Sequence, residues 1–137
     1  MDWYLTALRK YSRFRGRSRR KEYWFFTLFN ALIALGLSII GAVLAGVLTS
    51  SGASTGGLLL STLLNIVSLL SAIYSLGTFI PSLAVSVRRL HDIGKSGWWL
   101  LIGLIPLLGV IVLLIFFIQD SQPETNQYGA NPKENRA

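Results

Sequence analysis

Three long stretches without charge divide this chain: Tyr23–Gly57, Leu58–Val87 and Gly97–Gln119. Each holds an apolar core of about 20 residues or more, the length a helix needs to cross ~30 Å of hydrocarbon. The pattern predicts an all-α, polytopic membrane protein of one domain. A basic leader occupies 1–22, a transmembrane bundle 23–118 and an irregular tail 119–137. About three spans are expected, and four if the long second segment splits.

Finer periodicities suggest how the spans meet. In the first, about Trp24–Leu48, the small residues Ala34, Ser38, Ala42 and Gly46 recur at every fourth position. Small side chains let helices approach closely. The matching stripe on the second segment is Ser61, Asn65, Ser68, Ala72, Ser75 and Thr78/Ser82. Gly77 and Pro81 interrupt that segment, so a kink or break is expected there. Thr49–Gly57 is small, polar and uncharged, and reads as a loop. The third span is about Trp98–Ile118, with Gly103, Pro106 and Gly109 to bend it. In the leader, Trp3, Ala7, Tyr11 and Phe14 recur at helical spacing, with Arg9, Lys10 and Arg13 opposite them. That predicts an amphipathic helix over 2–13, lying in the membrane interface.

Charge adds orientation. The chain is 52% hydrophobic with a mean hydropathy of +0.52, and 14% charged, against about 25% in soluble domains. Residues 1–22 carry eight Lys/Arg against Asp2 and Glu22, net +6. Residues 88–97 carry three against Asp92, net +2, and the tail after Ile118 two against three, net −1. Basic loops stay in the cytoplasm, which places 1–22 and 88–97 there. Three spans would put the tail on the far side; a second segment split into two spans, or a re-entrant third, would return it. Basicity beside spans points to anionic headgroups rather than nucleic acid, despite a pI near 10.3. The apolar run Tyr23–Leu48 is far longer than a signal-peptide core and reads as an uncleaved anchor.

The chain has no cysteine. That excludes disulfides, thiolate nucleophiles and zinc–thiolate sites. The densest polar set is Arg88, Arg89, His91, Asp92, Lys95 and Ser96, joined by Arg15, Arg17, Arg19 and Arg20 from the leader. Guanidinium groups bind phosphate with two parallel hydrogen bonds, so these ten residues are the candidate lipid or anion site. Backbone amides after Gly94, at the start of the third span, would add donors. A plainer reading is an electrostatic stop that holds a helix end at the interface. His91 beside Asp92 suggests acid–base work, but adjacent residues on a helix do not face each other. One His and one Asp are too few for a structural zinc site. No metal or cofactor is expected.

Three runs resemble a known family: FRGRSRRKEYWFF at Phe14–Phe26, PSLAVSVRRLHDIGKSGWWLL at Pro81–Leu101, and NQYGANP at Asn126–Pro132. They are similar to the YhaH-like bacterial inner-membrane proteins, a domain of unknown function (DUF805), as is the opening MDWYL. The tail departs from the family's Gly-rich approach to N-x-Y-G, with Gln122, Pro123, Glu124 and Thr125 in its place. The resemblance implies the bacterial inner membrane and brings no reaction, cofactor or catalytic residue. The expected function is non-enzymatic binding of anionic lipid, or of a protein partner or second copy, through a basic cytoplasmic face. Two other classes stay open. One is a small transporter or channel-like subunit with Asn65, Tyr74 and the serines lining a path. The other is a lipid-modifying enzyme using His91 and Asp92.

Overall fold

The computed structural model describes residues 5, 9–50 and 55–134, and every regular element among them is helical. Helix α1 is Arg20–Ser50 and α2 is Thr55–Asp92; a 3-10 helix, η1, follows at Gly97–Leu104, then α3 at Leu108–Ile118. The chain divides into two compact units, Leu28–Phe79 and the remainder, Met1–Thr27 with Ile80–Ala137. Of the predicted leader helix, Leu5 and Arg9 are helical and Lys10–Ser12 form a turn. Trp3, Tyr4, Ala7 and Leu8 lie outside the described residues. The expected loop shortens, because α1 runs to Ser50 and α2 begins at Thr55; 51–54 also lie outside them.

The unit Leu28–Phe79 holds the apolar parts of α1 and α2. At 1.5 Å per residue the two full helices are about 46 and 57 Å long, more than a bilayer core requires. Leu32, Leu35, Ile39, Leu69, Ile73 and Leu76 are all more than half exposed. An apolar surface of that extent suits hydrocarbon and not water.

The helices meet on a face different from the expected one. Asn30, Leu37, Gly41, Leu44 and Leu48 of α1 are partly covered, as are Leu64, Val67, Ser71, Tyr74 and Thr78 of α2. A Cβ at Gly41 would lie 3.9 Å from Val67 Cγ1, and Tyr74 donates to Asn30 Oδ1 at 2.5 Å. Ala34, Ser38, Ala42 and Gly46 are exposed, and a Cβ at Gly46 would have no neighbour within 4 Å. Of the matching stripe, Asn65, Ser68, Ala72 and Ser75 are exposed, while Ser61, Thr78 and Ser82 are half-buried and Thr78 does lie on the covered face. The reason is geometric: a strict four-residue step drifts about 40° per turn, whereas alternating steps of three and four hold one face. The hydroxyls do not reach across either. Ser38 donates to Ala34 O, Ser61 to Leu58 O and Ser68 to Leu64 O, each on its own helix. The expected break is also absent, for α2 runs unbroken through Gly77 and Pro81.

The other unit takes in the last turns of α2, from Ile80, and the stop at its end. Gly94 takes φ +75°, Gly94 N donates to His91 O at 3.1 Å, and Lys95 N donates to Leu90 O at 2.9 Å. This pair of bonds, with a left-handed glycine, is the Schellman way of ending a helix. The segment expected to form a third span does not form one helix. Ile105 before Pro106 is extended, as the proline ring requires, and Leu107 turns the chain with φ 64°. η1 and α3 then run antiparallel: Trp99 packs edge-on against Phe116, and a Cβ at Gly103 would lie 3.0 Å from Leu113 Cδ1. A Cβ at Gly109 would overlap the Ile102 carbonyl, so the close approach there admits only glycine. Each arm is about 16 Å long, roughly half of a ~30 Å hydrocarbon layer. The segment is therefore a hairpin of two half-length arms. Leu90, Ile93 and Phe117 form its core, with Tyr23, Leu100, Leu113 and Phe116 packed around them.

Candidate functional site: a buried arginine network

Helix C-termini leave four carbonyls without intrahelical partners, and cations favour such ends. Two C-termini meet here, those of α2 at Asp92 and of α3 at Ile118, and arginines fill the need at both. Arg17, from the leader, donates to Asp92 Oδ1 at 3.0 Å and to the Asp92 carbonyl at 3.2 Å. Its remaining N–H groups go to the carbonyls of Gln122 (2.7 Å), Glu124 (2.8 Å) and Gly129 (3.3 Å). Arg89 donates to Asp92 Oδ2 at 2.6 Å, to Phe117 O at 3.2 Å and to Gln119 O. Ser121 Oγ donates to the same Oδ2. Asp92 is thus the hub of two guanidinium groups and a hydroxyl, and Arg89 and Asp92 are 0% exposed.

A second buried pair lies alongside. Arg88 Nη1 donates to Glu22 Oε1 at 2.8 Å and Nε to Ala84 O at 3.3 Å. Lys10 Nζ stands 4.0 Å from the same Glu22 oxygen. The Ser18 amide donates to Arg88 O at 3.0 Å, tying the leader to α2. Removing several charges from water costs several kcal/mol per ion, and geometry with full hydrogen bonding must offset it. Three buried guanidinium groups face two buried carboxylates, and the carbonyls supply the remaining negative potential.

The tail closes over this network. Asn126 Nδ2 donates to His91 O at 2.9 Å and to Gln122 Oε1 at 2.8 Å, while its Oδ1 accepts from Tyr128 N at 2.9 Å. Asn126 and Gly129 exchange backbone bonds, and Gly129 holds φ +134°. Asn131 Nδ2 donates to Pro123 O at 2.9 Å. The Tyr128 ring stacks on His91, centroids 3.8 Å apart. The N-Q-Y-G-A-N run is therefore a set of side-chain-to-backbone turns that shapes the tail to accept Arg17. On the exposed side, Asp120 pairs with Lys133 at 2.6 Å and Arg20 at 3.3 Å. The Lys133 hydrogen bond first, and the Ser121 amide second, hold the Asp120 carboxyl below the usual carboxylate range.

The ten residues marked in the sequence separate into two groups. Arg17, Arg88, Arg89, His91 and Asp92 converge, but inward, and the guanidinium N–H groups of Arg17 and Arg89 point at protein oxygens. Lys95 sits over the Trp99 and Phe116 rings, 5.2 and 5.5 Å from their centroids. Ser96 caps η1, accepting from Trp98 N at 3.4 Å, which occupies an amide expected to bind an anion. Arg15 and Arg20 are exposed and Arg19 half-buried. Arg20 also donates to Ile118 O at 3.1 Å. His91 and Asp92 are not a dyad: His91 Nδ1 lies 3.3 Å from Gly16 O, and both Asp92 oxygens are occupied. No group of three metal-ligating side chains occurs among the described residues. The sequence reading missed Glu22, Ser121, Asn126, Tyr128 and Asn131. Glu22 was signalled as the lone acid at the start of α1, amid eight bases.

A family model described as "Protein of unknown function (DUF805)" matches residues 11–130. Inner membrane protein YhaI of Escherichia coli K12 is 41% identical over 133 residues, 97% of each chain. Inner membrane protein YhaH of the same strain is 38% identical, over 97% of this chain and 98% of its own. No solved structure matches the chain.

Proposed function

The chain belongs to the DUF805 family, and on that footing we propose a non-enzymatic, multi-pass protein of the bacterial inner membrane that meets anionic lipid through a basic cytoplasmic face. The supporting observation is how its cations are divided. Arg17, Arg88 and Arg89 are buried on protein acceptors, whereas Arg9, Arg13, Arg15 and Lys21 are exposed. The outward bases crowd one short segment next to the start of α1, where Trp24 and Phe25 are also exposed. Aromatic rings beside bases suit the headgroup layer.

In this reading α1 and α2 cross the membrane and the third segment enters one leaflet only. Its tip is apolar, with Leu104 and Leu107 each 81% exposed. Its backbone suits hydrocarbon too. The N–H groups of Ile105, Leu108 and Gly109 bond to Ile102, Pro106 and Ile105, and Pro106 has none. In this reading the tail, packed on Arg17, Arg89 and His91, lies on the same side of the membrane as the leader, in place of the far-side tail expected from three spans. Single cysteines test it cleanly in a cysteine-free chain. An impermeant maleimide applied to intact cells should label Ser50→Cys and spare Ser12→Cys, Ser96→Cys and Gln127→Cys. Labelling at 127 would reject the half-membrane hairpin.

Lipid binding is tested by extracting the lipid that co-purifies in mild detergent. Changing Arg9, Arg13, Arg15 and Lys21 together to Gln should lower the ratio of anionic to zwitterionic phospholipid several-fold. An unchanged ratio would remove lipid from the proposal and leave a protein partner as the occupant of the basic face.

A further inference from the structure

The exposed bases are not spread evenly. Ser12, Arg13, Phe14, Arg15 and Gly16 line an open groove of about 650 Å³. The chain turns at both ends of it. Arg13 N donates to Lys10 O at 3.0 Å, closing a turn before the groove. Gly16, with φ +94°, turns the chain at the far end, where its carbonyl faces His91 Nδ1 at 3.3 Å. The next residue, Arg17, is locked into the buried network. The segment is therefore held at its Arg17 end, with a local turn at the other.

Inside this frame the Arg13 and Arg15 guanidinium groups make no hydrogen bond or ion pair among the described residues, while Arg17, Arg20, Arg88 and Arg89 all do. Phe14, between them, is 41% exposed. Two unused guanidinium forks around an apolar ring match a ligand with an anionic oxygen cluster and a greasy body. Trp24 and Phe25, exposed on the first turns of α1, put hydrocarbon within reach of the same segment.

We propose that this groove is a specific site for the phosphodiester headgroup of an anionic phospholipid, with Arg13 and Arg15 as the phosphate ligands, Ser12 as a neutral donor and Phe14 against the glycerol and upper acyl carbons. The proposal rests on the basic-face reading above and sharpens it from a diffuse charged surface to one site. Guanidinium binds phosphate through paired hydrogen bonds that an ammonium does not reproduce.

The test uses the full chain, purified in mild uncharged detergent and titrated by native mass spectrometry. The probes are dioctanoyl phosphatidylglycerol, dioctanoyl phosphatidylcholine and inorganic phosphate. The expected result is one saturable phosphatidylglycerol per chain, with phosphatidylcholine and phosphate both much weaker. Arg13→Gln and Arg15→Gln should each weaken phosphatidylglycerol about tenfold, a loss of ~1.4 kcal/mol. Arg15→Lys should weaken it less than Arg15→Gln yet measurably, and Lys21→Gln should leave it within about twofold. All three sites are exposed, and matched helical content by circular dichroism confirms that each of the four variants is folded. Equal losses for Lys21→Gln and Arg13→Gln would overturn the groove while leaving the basic face intact. Equal affinity of the wild type for the two lipids would overturn both. Phosphate binding as tightly as phosphatidylglycerol would reject a lipid as occupant.

Discussion

Asp92→Asn is expected to be the most damaging conservative change in the chain. The amide keeps the shape but removes the one charge that Arg17 and Arg89 share, and it presents N–H groups to donors. Breaking a buried ion pair from one side costs about 3–5 kcal/mol, a large part of the 5–15 kcal/mol that holds a typical domain. The variant should accumulate poorly and lose most of its resistance to thermal unfolding in detergent. Asp120→Asn is the control. Asp120 also pairs with two cations, Arg20 and Lys133, but its side chain is 57% exposed. Exposed pairs contribute about 0–1 kcal/mol, so that variant should behave nearly as wild type. Equal melting temperatures for the two variants would show that the buried hub does not hold the fold.

Gly109→Ala should produce the second largest loss. The added methyl meets the Ile102 carbonyl, a backbone group that cannot rotate away. Either η1 or α3 must shift, and about 3 kcal/mol is expected, the upper end of overpacking penalties. Gly103→Ala faces the same hairpin from the other arm but meets the Leu113 side chain at 3.0 Å. A leucine tip has other rotamers, so that change should cost about 1 kcal/mol or less. Limited proteolysis of the η1–α3 turn, with thermal unfolding, would rank the pair. If Gly103→Ala proves the worse, the backbone approach is not the constraint.

What the sequence made legible follows from the range of each interaction. The two long helices were readable because about 20 consecutive apolar residues admit few alternatives in lipid. The stop after Asp92 was marked by Gly94, whose left-handed φ is a local requirement. The half-length hairpin was only half visible. Gly103, Pro106 and Gly109 signalled a bend, but whether a bend becomes a reversal depends on Leu107 and the Ile102–Gly109 approach. The inter-helical face was misread because small residues at a four-residue step were treated as a fixed face. Of the arginines grouped from the sequence, Arg17, Arg88 and Arg89 come together in the buried network, and the direction they face was not legible. A guanidinium that binds a ligand and one that caps a helix end look alike until the acceptors are placed. Those acceptors are backbone carbonyls of Phe117, Gln122, Glu124 and Gly129, groups every residue carries and no side-chain pattern reveals.

The carbonyl of Gly129 that Arg17 uses lies 112 residues further along the chain. A ribosome delivers the leader first, so in the proposed topology Arg17 stays hydrated while α1 and α2 enter the lipid, and its acceptors in the tail emerge last. Closing the network is therefore a late step, and it succeeds only when the tail arrives on the leader's side of the membrane. With the tail on the other side, Asp92, Arg17 and Arg89 would lack part of their set of partners, a cost that disfavours that product. In the proposed topology, basic loops would bias the direction of insertion while the protein is made, and the buried network would then discriminate among the products by stability.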